Sequence, residues 1–114
     1  MKRVSIVMAS ALLVGSLWAA HVLAGPAVTR GVQETSNLQF QPKTITIHKG
    51  DTVKWTNTAN GIHHTTTSNT GLWNSTDMAP GATFKHRFTS VGTFRYHCKY
   101  HRQSGMVGKV VVQP

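Results

Sequence analysis

Acidic residues and cysteine are both scarce in this chain, and each shortage excludes a class of chemistry. The 114 residues contain three acidic side chains, Glu34, Asp51 and Asp77, against 12 Lys and Arg, so the formal net charge is +9. So few carboxylates argue against catalysis by a pair of them. Cys98 is the only cysteine, which excludes an intramolecular disulfide and an all-cysteine zinc site. Seven histidines, by contrast, keep open a metal site with nitrogen donors.

The first residues have the pattern of a secretory signal peptide. Lys2 and Arg3 precede an apolar run over residues 4–23, and Val22 and Ala24 are small residues suited to a cleavage site. We expect residues 1–24 to be a cleaved signal peptide and the rest to be exported to the periplasm or another extracytoplasmic compartment. The alternative is an uncleaved membrane anchor, because the run is close to the ~20 residues that span a bilayer.

Leucine is nearly absent after residue 24, where Leu38 and Leu72 accompany 15 threonines and 8 valines. This composition favours β-strands over helices. Apolar and polar residues alternate in short runs from residue 38 onward, and glycine or proline separates the runs. The pattern predicts one all-β domain over residues 38–114, a sandwich or barrel of seven or eight strands. Residues 25–37 lack a clear pattern and are predicted to form an N-terminal arm or an edge strand.

Three potential ligands for a soft metal lie close together near the C-terminus. Cys98, His101 and Met106 have the spacing C-x2-H-x4-M, in the loop between the last two predicted strands. A thiolate, an imidazole and a thioether together suit copper, and two histidines with one cysteine and a distant methionine form a blue-copper site. The second histidine must come from elsewhere in the chain, and the His63-His64 pair offers it.

The segments around these residues resemble one protein family. Residues 96–101 are YHCKYH and residues 105–110 are GMVGKV, similar to the C-terminal signature of the cupredoxins, in particular their plastocyanin-like and pseudoazurin-like branch. Residues 50–57, GDTVKWTN, resemble the central strand of that family. The resemblance implies a Greek-key β-sandwich with one type 1 copper ion. It also implies the ligands His64, Cys98, His101 and Met106.

The first of these ligands has an alternative. Counting from Trp55, His63 stands at the offset common in the family. Counting from the downstream side, residues 64–68, HTTTS, match a family run that begins with the ligand and follows it with a residue tying the two ligand loops together. Thr65 suits that second role, so we predict His64, with His63 as a loop residue beside the site.

The resemblance implies an electron carrier and not an enzyme. A single copper that cycles between Cu(I) and Cu(II) passes one electron at a time between redox protein partners. Copper oxidases and nitrite reductases of the same fold need further His-x-His or interdomain ligands and several domains, and this chain has no such motif. The alternative is a copper-binding or copper-delivery protein without a dedicated electron-transfer role.

Basic residues flank the predicted ligand His101 and indicate the kind of partner. Lys99 and Arg102 lie two positions before it and one after it, and their positive charge favours a redox protein with an acidic docking surface. Because of the same positive charge, we also expect peripheral contact with an anionic membrane surface. The sequence shows neither a recognition helix nor an aromatic stacking surface, so we do not expect nucleic acid as a partner. We expect a monomer.

Overall fold

The structure is a computed structural model that describes residues 25–114. These residues form eight β-strands. The predicted signal peptide, residues 1–24, lies outside the described residues. In chain order the strands are β1 (Thr29–Glu34), β2 (Phe40–Gln41), β3 (Thr44–His48), β4 (Thr52–Asn57), β5 (Thr67–Ser68), β6 (Thr83–Arg87), β7 (Gly92–His97) and β8 (Val107–Gln113). One short 3-10 helix, Arg102–Ser104, interrupts the loop between β7 and β8. Among these residues no helix is long and apolar enough to cross a membrane.

The strands form two four-stranded sheets, which confirms the predicted all-β sandwich. The first sheet has the order β2-β1-β4-β6 and the second has the order β3-β8-β7-β5. Two neighbouring pairs are parallel, β1 with β4 and β3 with β8, and the others are antiparallel. Since β3 and β4 belong to different sheets, the chain crosses between the two layers and closes one core between them.

For residues 25–37, where the sequence predicts an N-terminal arm or an edge strand, the structure shows a strand, β1, that lies between β2 and β4 in the first sheet. β1 pairs with β4 along all six of its residues, and its last two residues, Gln33 and Glu34, also pair with β2. Val32 of this strand belongs to the hydrophobic core. The folded unit therefore begins before residue 38. The alternation was hard to recognise in the sequence because the second inward-facing residue of the strand is the charged Glu34.

Large aromatic side chains from both sheets fill the core. The Tyr96 ring lies 4.5 Å from Phe40 and 5.4 Å from Trp55, centroid to centroid, and both contacts are edge-on. Trp73, from the loop after β5, packs 5.5 Å from Trp55. Edge-to-face pairs of this kind contribute about 0.5–1.5 kcal/mol beyond the burial of their area. The core therefore holds β7 and its C-terminal end in a defined position.

Gly108 lets β8 pass close to the Tyr96 ring. A Cβ atom at this position would lie 2.7 Å from the ring carbon and the hydroxyl oxygen of Tyr96 and 3.0 Å from the backbone oxygen of Lys43. Real Cβ atoms do not approach other heavy atoms so closely. Any side chain at residue 108 must displace a fully buried ring or the neighbouring strand.

We expect Gly108→Ala to lower the free energy of unfolding by about 1–3 kcal/mol, because overpacking a dense core forces side chains or backbone to shift. Chemical denaturation of the metal-free protein measures the loss. Gly31→Ala is the matched control, since its Cβ would meet only one atom, the Lys54 backbone oxygen at 4.0 Å. Equal losses in the two variants would contradict the close approach at Gly108.

Candidate metal centre

The ends of β7 and β8 bring Cys98 and Met106 to the same edge of the sandwich. Cys98 follows directly after β7, and Met106 precedes β8, which pairs with β7 in antiparallel register. The Cys98 N–H donates a hydrogen bond of 3.0 Å to the Met106 carbonyl. Both side chains are fully buried. The sheet register therefore sets the relative position of these two residues.

The loop between these strands places His101 beside Cys98. The His101 N–H donates to the Cys98 carbonyl, and the His101 carbonyl accepts from Ser104 and Met106. Gly105 closes the turn in the left-handed region with φ of 86°. The His101 Nδ1 atom lies 3.5 Å from the Cys98 Sγ atom. His101 is half-exposed, in contrast to the buried Cys98.

His64 reaches the same point from a different loop. Its backbone exchanges two hydrogen bonds with Met78, and its ring is fully buried. The Nε2 atom lies 3.0 Å from the Thr35 carbonyl, which only accepts, so Nε2 carries the proton. The opposite nitrogen, Nδ1, is then an acceptor and lies 3.8 Å from Cys98 Sγ. Burial lowers the pKa of His64, which favours the neutral imidazole that a metal requires.

These three residues form a group of potential metal donors. One donor atom each from His64, Cys98 and His101 lies within 4.8 Å of the others. The His64 and His101 rings are 5.1 Å apart, centroid to centroid, and nearly perpendicular. Within residues 25–114 this is the only such group of three histidine, cysteine or acidic side chains. A thiolate and two neutral imidazoles are a donor set that copper prefers.

Thr65 ties the two loops of the site together. Its backbone N–H points at the Cys98 Sγ atom at 3.4 Å, and its hydroxyl oxygen accepts a 2.8 Å hydrogen bond from the Lys99 N–H. The same hydroxyl lies 2.9 Å from that of Thr67. The tie predicted for the residue after His64 is therefore present in the structure.

His63 has a different environment from His64. Its Nδ1 atom lies 2.9 Å from an Asp77 carboxylate oxygen, and its side chain is 53% exposed. Asp77 also accepts a 2.8 Å hydrogen bond from the Tyr100 hydroxyl. The hydrogen bonds from His63 and Tyr100 lower the pKa of Asp77. Sequence reasoning missed this connection, because Asp77 and Tyr100 are 23 positions apart and carry no motif.

The remaining histidines of the sandwich lie outside this group. His48 is exposed at the end of β3. His86 stacks on Trp73 at 5.2 Å, and burial lowers its pKa. His97 Nδ1 lies 2.6 Å from the Asn69 side-chain oxygen. None of these three side chains belongs to the group of potential metal donors.

Comparison with known proteins places this geometry in a family. Residues 26–113 match the family model of copper binding proteins, the plastocyanin/azurin family. The chain belongs to this family. Its cofactor is copper, and the donor set of His64, Cys98 and His101, with Met106 buried beside it, fits that metal.

Two plastocyanins illustrate the similarity in sequence. A chloroplastic plastocyanin of Chlamydomonas reinhardtii is 32% identical over 90 residues, covering 70% of this chain and 62% of the relative. The chain thus spans less than two thirds of that relative's length. A plastocyanin of Synechococcus sp. (strain JA-2-3B'a(2-13)) is 30% identical over 131 aligned positions, covering 97% of this chain and 93% of the relative.

Two solved structures illustrate the similarity in fold. A purple cupredoxin from Nitrosopumilus maritimus superposes with a TM-score of 0.66 at 28% identity, covering 74% of this chain and 99% of that chain. An amicyanin variant in its Cu(I) form superposes with a TM-score of 0.66 at 26% identity, covering 75% and 82%. The cupredoxin family predicted from the sequence is therefore confirmed.

Replacing Thr65 by valine tests the tie between the loops. The change keeps the side-chain shape and removes the oxygen that accepts from the Lys99 N–H. We expect the free energy of unfolding to fall by about 0.5–1.5 kcal/mol, the net contribution of a typical hydrogen bond. Denaturation of the metal-free protein measures it. Thr67→Val is the control: it removes the contact between the two hydroxyls but leaves the bond from Lys99, so an equal loss there would show that the bond from Lys99 contributes nothing.

Proposed function

We propose that this chain is an electron-transfer protein whose single copper is held by His64, Cys98, His101 and Met106. The observation that carries the proposal is the convergence of a cysteine sulfur and two imidazole nitrogens within 4.8 Å at one end of a β-sandwich. Copper bound by such a set supplies one-electron chemistry between Cu(I) and Cu(II). The rest of the proposal concerns what the residues of this chain contribute to that chemistry.

Hydrogen bonds to the backbone hold the donor side chains in position. Thr35 fixes the His64 ring through Nε2, and the Cys98 backbone is bonded to Met106 across the sheet register. Partners of this kind orient ligands and determine which ring nitrogen is free. A donor set held in one geometry limits rearrangement when the charge of the centre changes. This property suits electron transfer.

His101 is the proposed point where electrons enter and leave. Cys98, His64 and Met106 are fully buried, whereas His101 is half-exposed. Its neighbour Tyr100 is 50% exposed and packs edge-on to it at 6.2 Å. A redox partner that docks over this loop therefore comes closest to the centre through the His101 ring.

The charge around this loop favours an acidic redox partner. Lys99 and Arg102 are exposed on either side of His101. The acidic side chain near the loop is Asp77, which already accepts hydrogen bonds from His63 and Tyr100. Positive charge that is not neutralised speeds the encounter with a partner of opposite charge. Peripheral contact with anionic membranes follows from the same charge, and the proposed active form is a monomer.

A carrier is favoured over an enzyme or a copper-delivery protein. Delivery requires ligands that exchange with solvent or a partner, and three of the four proposed ligands are fully buried. Copper enzymes need a place for substrate beside the metal, and buried side chains surround the proposed site except at His101.

We further propose export from the cytoplasm, because residues 1–24 have the signal-peptide pattern.

Two adjacent histidines provide a matched test of the ligand assignment. We expect His64→Ala to lose the intense thiolate-to-copper absorption of the Cu(II) protein, because one of three strong donors is gone. His63→Ala should keep the band, since its ring is bonded to Asp77 at the surface. Visible absorption and spin resonance of the copper-loaded variants measure this. Loss of the band in His63→Ala and its retention in His64→Ala would reverse the assignment.

The docking charge is tested with small charged oxidants. Lys99→Glu combined with Arg102→Glu should slow oxidation of the Cu(I) protein by anionic hexacyanoferrate(III) and speed oxidation by a cationic cobalt(III) complex. The effect should weaken with salt, because screening acts over about 8–10 Å at moderate ionic strength. Stopped-flow rates measure both reactions.

The control carries the same change in net charge at a different place. Lys54 and Lys85 lie opposite each other on β4 and β6, in strand interiors away from the proposed docking loop. Lys54→Glu combined with Lys85→Glu should change the rates much less. Equal effects from the two double variants would show that only total charge matters, and that the His101 loop is not the docking surface.

A further inference from the structure

Glu34 is a carboxylic acid in the core that the proposed electron transfer does not use. The side chain is fully buried at the end of β1. Neither of its carboxyl oxygens has a hydrogen-bond partner among the described protein groups. The Trp55 indole N–H and the Tyr96 hydroxyl are also buried without partners. Unpaired buried polar groups destabilise native proteins and are rare in them, so the presence of the Glu34 carboxyl group in the core calls for a functional explanation.

The position of Glu34 connects it to the proposed metal centre. The next residue, Thr35, provides the carbonyl that accepts from His64 Nε2 at 3.0 Å. The Glu34 carbonyl itself accepts from the Thr58 N–H in the loop that leads to His64. On the other side, burial and the charge of Glu34 raise the pKa of Tyr96, which precedes Cys98 by two residues. Backbone hydrogen bonds therefore join the Glu34 segment to the loop that carries His64, and the charge of Glu34 acts on a residue two positions before Cys98.

The groups that face Glu34 do not neutralise its charge. Its register partners are Phe40 of β2 and Asn57 of β4, and neither of these side chains titrates. The titratable group on which the charge of Glu34 acts is Tyr96 of β7. No Lys or Arg forms an ion pair with Glu34 within the described residues. Burial alone raises the pKa of Glu34 to about 7, so both protonation states are accessible near neutral pH.

We propose that Glu34 is a proton-binding site coupled to the oxidation state of the metal centre, an inference that rests on the proposed electron-transfer function. Reduction by an electron donor lowers the positive charge of the centre by one. The anionic carboxylate then loses a favourable interaction in a medium of low dielectric constant, and it takes a proton from solvent. When the electron passes to an acceptor, the proton returns to solvent. On average, each electron is thus accompanied by the uptake or release of a fraction of a proton across the pH range in which Glu34 titrates.

The first test measures the proton affinity of Glu34 directly in the wild-type protein. Carboxyl NMR of the Cu(I) protein is compared with that of the protein loaded with Zn(II), a divalent ion without redox chemistry. We expect at least ~3-fold higher proton affinity with Cu(I), a shift of about 0.5 pKa unit. Equal values in the two metal forms would overturn the proposal, and no variant has to fold for this result.

The second test measures the reduction potential against pH. In the wild-type protein the potential should fall as pH rises through neutrality, and in Glu34→Gln this fall should be lost. Asp77→Asn is the control: hydrogen bonds keep the pKa of Asp77 low, so it stays ionised near neutral pH. Its replacement should shift the potential without changing its slope with pH. A slope retained in Glu34→Gln would overturn the role of Glu34.

A third measurement needs no metal. Because the folded-state pKa of Glu34 is raised from 4.5 to about 7, wild-type stability relative to Glu34→Gln should fall as pH rises between these values. A difference that does not change over this range would contradict a buried, titrating carboxyl group.

The outcomes separate the two proposals. A normal copper absorption band with no response at Glu34 overturns the coupling and leaves the electron-transfer function intact. Absence of the band in the Cu(II)-loaded wild-type protein overturns both.

Discussion

The contact between the His64 loop and the Cys98 loop, made through Thr65, is the interaction on which the metal centre depends. The His64 loop connects β4 of the first sheet to β5 of the second, and the Cys98 loop connects β7 to β8 within the second sheet. The Thr65 N–H and hydroxyl bond to Cys98 Sγ and to the Lys99 N–H. Because these bonds involve backbone groups, they fix the sulfur relative to the segment that carries His64.

The aromatic core of the sandwich holds the strands that carry this contact. Tyr96 packs on Phe40 and Trp55, and the close passage of Gly108 fixes β8 against the same ring. Cys98 and Met106 therefore leave the sheet at positions set by packing deep in the core. A change in that packing is expected to move the ligands even when it lies two residues from them. Dense interiors transmit such shifts because they contain few voids that absorb them.

The three acidic residues each have a distinct role in a strongly basic protein. Asp51 accepts from the Val28 and His48 N–H groups and holds the turn before β4. Asp77 joins His63 to Tyr100 at the surface. Glu34 lies unpaired in the core. Among the described residues, none of the three acids forms an ion pair with Lys99 or Arg102, so the positive charge near His101 is not neutralised.

The sequence by itself determined the strands and the C-terminal ligand motif. Alternation over short distances decides which residues of a strand face inward, so β3, β4, β7 and β8 were predictable from their own residues. Spacing within one loop likewise indicated Cys98, His101 and Met106. Tertiary structure decided the rest. It brought His64 instead of its neighbour His63 to Cys98, because the Thr35 carbonyl, 29 positions away, holds that ring. It also placed the charged Glu34 inside the core. Both depend on contacts between distant segments: the local run after His64 favoured it over His63, but only the fold provides the contact that holds its ring.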